Sequence, residues 1–129
     1  MSYHIRKAGV IGSGTMGGGI ATLLAGVGIP VVLLDIPPKD TKPGDSPTKR
    51  NAIPAGNLAK LKASRIPAIF QDDDLNLLTI GNTEDDLERL RDCDWIVEVI
   101  VERLDVKQDL MKRLEAIHRP GMIISTNTS

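Results

Sequence analysis

The chain has 129 residues, a formal net charge of −1 and 41% hydrophobic residues, which is one ordinary domain with enough apolar side chains for a core. The near-zero charge argues against an electrostatic grip on nucleic acid or an anionic membrane, so neither is expected as a partner. The longest apolar run, Ile29–Leu34, is too short to span a bilayer, and no signal-peptide stretch follows "MSYHIRK".

A single cysteine, Cys93, permits no internal disulfide, which fits a reducing compartment and a cytoplasmic location. Cys93 and two distant histidines, His4 and His118, spell no metal-ligand cluster. Aromatic residues are only Tyr3, Phe70 and Trp95, so the core must be built mainly from Val, Ile, Leu and Ala.

Residues 8–12 read as a buried strand. Residues 15–27 read as a helix, with Met16, Ile20, Leu23, Leu24 and Val27 on the face expected to be buried. Gly26 and Gly28 stop it and Pro30 prevents its resumption. "PVVLLD" is a second strand, apolar throughout, as in a parallel sheet covered on both faces. From Pro37 to Asn57 the text turns to prolines, lysines, aspartates and threonines, which predicts a mobile loop. "NLAKLKAS" suggests a short helix and "LNLLTIG" a third strand. Thr83 with Asp86 resembles a capping box for a helix over about 84–91. "DWIVEVIV" reads as a fourth strand. Asp105–His118 is an amphipathic helix with Val106, Leu110, Met111, Leu114 and Ile117 on its apolar face, and "MIIST" reads as a fifth strand. Strand and helix alternate, so the expected fold is α/β and Rossmann-type: a doubly wound, mainly parallel sheet with helices on both faces. A ligand crevice is expected at the carboxyl ends of its strands.

The first strand runs into "GSGTMG", where Gly12, Gly14 and Gly17 have the spacing G-x-G-x-x-G. Gly12 lets the chain turn sharply, Gly14 lets a pyrophosphate approach the backbone, and Gly17 lets the helix pack closely on the sheet. The helix N-terminus offers N–H groups and partial positive charge to phosphates. Asp35 closes the second strand roughly twenty residues later, where an acid accepts hydrogen bonds from an adenosine ribose. The same acid repels a 2′-phosphate, which favours NAD over NADP.

"GSGTMGGGIA" resembles the G-x-G-x-M-G-x-G-I-A of the 3-hydroxyacyl-CoA dehydrogenase family. "DWIVEVIVERLDVKQDLMKRLE" is similar to that family's second motif, and "STNTS" to its S-N-T-S strand end with Thr126 in place of Ser. The resemblance covers most of the chain except about 37–74. It implies NAD-dependent oxidation of a 3-hydroxyacyl-CoA to the 3-ketoacyl-CoA, as in fatty-acid β-oxidation, with acyl-CoA as substrate. It implies that Gly12, Ser13, Gly14, Thr15, Met16 and Gly17 hold the pyrophosphate and that Asp35 holds the ribose. Glu102 and Lys107 would meet the cofactor on its nicotinamide side, and Ser129 would lie where the nicotinamide end meets the acyl-CoA.

The family's His–Glu pair follows a later strand, in an H-F-F-N-P-like motif that does not occur here. No catalytic residue is therefore expected in this chain, and His118 simply ends a helix. Residues 1–129 are expected to be an incomplete dinucleotide domain that binds NAD without turnover. An open fifth strand would favour self-association into a homo-oligomer. One alternative is a non-catalytic nucleotide-binding or redox-sensing module. Another is a methyltransferase, which has no need of Gly17.

Overall fold

The computed structural model describes residues 5–64, 76–100 and 104–126. In chain order the elements are β1 (Ala8–Ile11), α1 (Thr15–Gly26), β2 (Val31–Asp35), α2 (Pro47–Arg50), α3 (Ala52–Ser64), β3 (Leu78–Asn82), a 3-10 helix (Leu87–Leu90), β4 (Trp95–Glu98), α4 (Leu104–Ile117) and β5 (Ile123–Thr126). All strand pairings are parallel and the order is β3-β2-β1-β4-β5. The order reverses between β1 and β4, which places the crevice at their carboxyl ends.

The run "VVLLD" shows why this sheet needs two covers. Alternate residues of a strand face opposite sides. Val31 and Leu33 enter one core with Val10, Ala21, Ala25 and Val97, beneath α1 and α3. Val32 and Leu34 enter the other with Ile11, Leu90, Ile96, Leu110 and Leu114, beneath the 3-10 helix and α4. Burying a Val or Leu side chain stabilises by roughly 1.5–3 kcal/mol, so neither face can be left open. Cys93 lies in the second core, and burial pushes its thiol up to about 11. It acts as a small apolar side chain.

The helix α1 turns a different face inward from the one expected. Met16, Leu23 and Val27 are 56%, 66% and 73% exposed, and Ile20 and Leu24 are only partly buried. The buried residues are Gly17, Gly18, Ala21, Thr22 and Ala25. The cause is proximity. A Cβ added to Gly17 would lie 1.7 Å from the Gly12 carbonyl oxygen, so the helix lies too close to β1 for large side chains. Gly28, at φ +88°, ends the helix as expected.

Residues 37–57 are not a continuous loop, because helix begins at Pro47. Ser46 is the N-cap of α2, with Pro47 at the first helical position, where a missing N–H costs nothing. Pro54 lies in the first turn of α3, which tolerates proline for the same reason. The helix expected over 84–91 is only the 3-10 helix. Its lead-in is organised by Asn82 rather than Thr83: Asn82 Oδ1 accepts from Glu84 N and Asp85 N, and Asp86 Oδ2 accepts from Asn82 N.

Candidate dinucleotide site

The turn after β1 is tied by backbone bonds to both neighbouring strands, on the β2 side and across the reversal point to β4. Gly12 N donates to Leu34 O at 2.7 Å, and Val99 N donates to Ile11 O at 2.8 Å. Gly12 has φ +110°, and a Cβ there would meet Val99 and Ile100 N at 3.1–3.2 Å. Glycine is needed both for the conformation and for the approach of β4. Gly14 is the N-cap of α1 and leaves that end without a side-chain cap. A Cβ on Gly14 would meet nothing within 4 Å. The first-turn N–H groups of an α-helix have no intrahelical partner, and here the space beside Gly14 is open. Thr15 and Met16 follow on the exposed side of the same turn.

Asp35 closes β2 next to this turn. Its Oδ2 accepts from Ser13 N at 2.7 Å and from Ser13 Oγ at 2.6 Å, while Oδ1 accepts from Ile36 N at 2.8 Å. Ser13 Oγ in turn accepts from Asn57 Nδ2 at 2.8 Å. Beyond Asp35 lies a cavity of about 570 Å³. Ile36, Pro37, Ile100 and Val106 give it an apolar side, and Arg50 and Glu84 lie among its polar lining.

Arg50 is the main tie between α2 and the end of β3. Its side chain is 1% exposed, with Nε 3.0 Å from Asp85 Oδ2 and Nη2 2.6 Å from Glu84 Oε1. The hydrogen bond from Arg50, then one from Asn82, holds the Asp85 carboxyl below its usual range, and the same acids raise Arg50.

Across the reversal point, Glu98 closes β4. It is 1% exposed, and its Oε2 accepts from Ile100 N at 2.6 Å. Lys107, on the first turn of α4, lines a second cavity of about 520 Å³ with Glu98, Met111 and Thr126. Glu102 and Ser129 lie outside the described residues. His118 follows the C-terminus of α4, the end that leads into β5, and its Nε2 is 3.0 Å from Met122 O. That end is opposite the carboxyl ends of the strands. Among the described residues no His, Cys, Asp and Glu group could hold a metal, and no helix is long and apolar enough to cross a membrane.

The structure thus brings Gly12–Gly17 and Asp35 together and sets Lys107 on the other side of the crevice. Sequence reasoning missed Glu98, Asn57 and Arg50. Glu98 carries the same cue as Asp35, an acid closing an apolar strand. Asn57 and Arg50 sit in the proline-rich stretch, where spacing gives no cue.

The family model for the 3-hydroxyacyl-CoA dehydrogenase NAD binding domain matches residues 7–129. The chain belongs to this family. As a 3-hydroxyacyl-CoA dehydrogenase NAD-binding domain it takes NAD as its cofactor. It is 47% identical over 97% of its length to a probable 3-hydroxyacyl-CoA dehydrogenase of Deinococcus radiodurans, of which it spans 34%. It is 42% identical over its whole length to a probable 3-hydroxyacyl-CoA dehydrogenase of Bacillus subtilis, of which it spans 17%. Among solved structures it is similar to the (S)-3-hydroxybutyryl-CoA dehydrogenase of Ralstonia eutropha, with a TM-score of 0.66 and 30% identity, covering 98% of this chain and 42% of that one. The chain therefore spans less than half the length of each of these relatives.

Proposed function

We propose that this chain is the NAD-binding part of an oxidoreductase that converts 3-hydroxyacyl-CoA to 3-ketoacyl-CoA in fatty-acid β-oxidation, acting on an acyl-CoA in the cytoplasm. The observation that carries the reading is Asp35 bonded to the glycine turn at 2.6–2.7 Å beside an open Gly14. The donor set fits the cofactor: a turn that presents backbone N–H groups to phosphates, an acid that accepts from a ribose, and Ile36, Pro37 and Pro38 rather than an Arg directly after that acid.

In this reading Gly12, Ser13, Gly14, Thr15, Met16 and Gly17 cradle the pyrophosphate and Asp35 orients the adenosine ribose. The apolar side of the 570 Å³ cavity, Ile36 with Ile100 and Val106, shelters the adenine. Glu102, Lys107 and Ser129 are assigned to the nicotinamide half, and Ser129 also to the acyl-CoA. Glu98 supports that side by holding Ile100 N and so fixing the backbone just past β4. The chemistry NAD supplies when bound is hydride acceptance from the substrate's 3-carbon. The 3-hydroxyl proton needs a base, and neither His4 nor His118 answers to the family's catalytic histidine. The 129-residue chain should bind NAD and produce no NADH from a 3-hydroxyacyl-CoA.

Calorimetry with NAD tests this directly. Removing a charged acceptor typically costs roughly 1.5–3 kcal/mol, so Asp35→Ala should weaken NAD by about 10- to 150-fold and narrow the preference over NADP. A wild-type chain that does not bind NAD, or an Asp35→Ala variant that binds like wild type, would refute the reading. So would NADH produced by the chain alone.

A further inference from the structure

Ser13, Asp35 and Asn57 come from three separate places, the turn after β1, the end of β2 and the middle of α3, yet they form one chain of hydrogen bonds. Chemistry fixes its direction. A carboxylate only accepts, so at 2.6 Å the Ser13 hydroxyl must give its one proton to Asp35 Oδ2. Ser13 Oγ can then only accept from Asn57, which therefore presents its amide N–H rather than its oxygen, at 2.8 Å. Ser13 is 2% exposed, so its hydroxyl has little access to water that could replace Asn57.

This arrangement also counts the acceptor sites left on Asp35. Oδ2 receives two hydrogens, from Ser13 N and Ser13 Oγ, and each carboxylate oxygen has about two lone-pair sites. Oδ1 receives one, from Ile36 N. One site remains, on Oδ1.

We propose that Asn57 is a positioning residue for the nucleotide's ribose: by donating to Ser13 it locks the Ser13 proton onto Asp35 Oδ2, so that the carboxylate has one orientation and offers Oδ1 to a ribose hydroxyl. Without Asn57 the Ser13 hydroxyl still donates to Oδ2, but Ser13 Oγ is held from one side only, so the Ser13–Asp35 pair can shift together and must be ordered when nucleotide binds. The role rests on NAD binding at this turn, and it makes α3 part of the site.

The test is a double-mutant cycle on the 129-residue chain, read by calorimetry with NAD. Asn57→Ala should weaken NAD by roughly 3- to 10-fold, the size of one neutral hydrogen bond, while the chain stays folded and melts only a few degrees lower. In a Ser13→Ala background the same substitution should have no effect, because Asn57 acts only through Ser13. Asn57→Asp keeps the shape but cannot donate. It should draw the Ser13 proton away from Asp35 and weaken NAD at least as much as Ala. Without nucleotide, amide exchange at Ser13 should quicken in Asn57→Ala while the interior of α1 stays protected. Additive effects in the cycle, or wild-type NAD affinity in both Asn57 variants, would overturn the role and leave NAD binding standing. A wild-type chain with no NAD affinity would overturn both.

Discussion

Gly14 and Gly17 belong to one turn but answer to different constraints. At Gly14 an added side chain meets open space, whereas at Gly17 it meets the Gly12 carbonyl at 1.7 Å. Gly17→Ala must push the helix off the sheet and should destabilise by about 1–3 kcal/mol or more, visible in a chemical melt. Gly14→Val should cost little stability yet abolish measurable NAD binding, because its side chain fills the place a phosphate needs. A Gly14→Val chain that melts near wild type and still binds NAD would remove the pyrophosphate from this turn. The spacing of three glycines and a strand-ending acid made these residues legible in the sequence, because each has a task set by its near neighbours. Asn57 was illegible for the opposite reason. It reaches Ser13 only after α3 has packed over the turn, and no local pattern encodes that.

At the scale of elements, strands were the easiest to read, because a continuous apolar run such as "VVLLD" satisfies two covered faces at once. The inward face of α1 was misread because size, not hydrophobicity, selects it; Gly17, Ala21 and Ala25 repeat at helical spacing and carried that signal. Prolines hid α2 and the first turns of α3, whose second half was read as the short helix "NLAKLKAS", because proline at a helix start breaks no bond. What anchors α2 is Arg50 on Asp85 and Glu84. Arg50→Met leaves two acids facing one another and should lower the melting temperature by several degrees. In wild type the first proteolytic cuts should fall within 37–46, ahead of α2, and in Arg50→Met they should quicken and extend into α2. The pH dependence has a definite sign. Asp85 titrates lower in the folded chain than unfolded, so its contribution is present above its unfolded value, about 4, and is lost as pH falls below it. Asp85→Asn should therefore flatten the loss of stability as pH falls below about 4. An unchanged acid slope would mean the pair contributes nothing.

For the whole molecule, the alternation of strands and helices was enough to read a parallel, doubly wound sheet, and the order β3-β2-β1-β4-β5 agrees with it. The seam between β1 and β4 joins Ala8 to Trp95, the pairing with the greatest separation along the chain, while β1 to β2 joins only Ala8 to Val31. Distant pairings close late, since loop entropy must be met before contacts reward it. The nucleotide crevice lies across that late seam, between the glycine turn and the exit of β4. Until the last pairing is made a ligand has only the glycine turn and Asp35 to grip, and lacks the β4 side of its site. NAD should therefore leave the refolding rate unchanged and slow unfolding in proportion to its occupancy. In a chevron measured with and without NAD, only the unfolding arm should move. The cofactor then acts as a latch on the finished sheet and takes no part in assembling it.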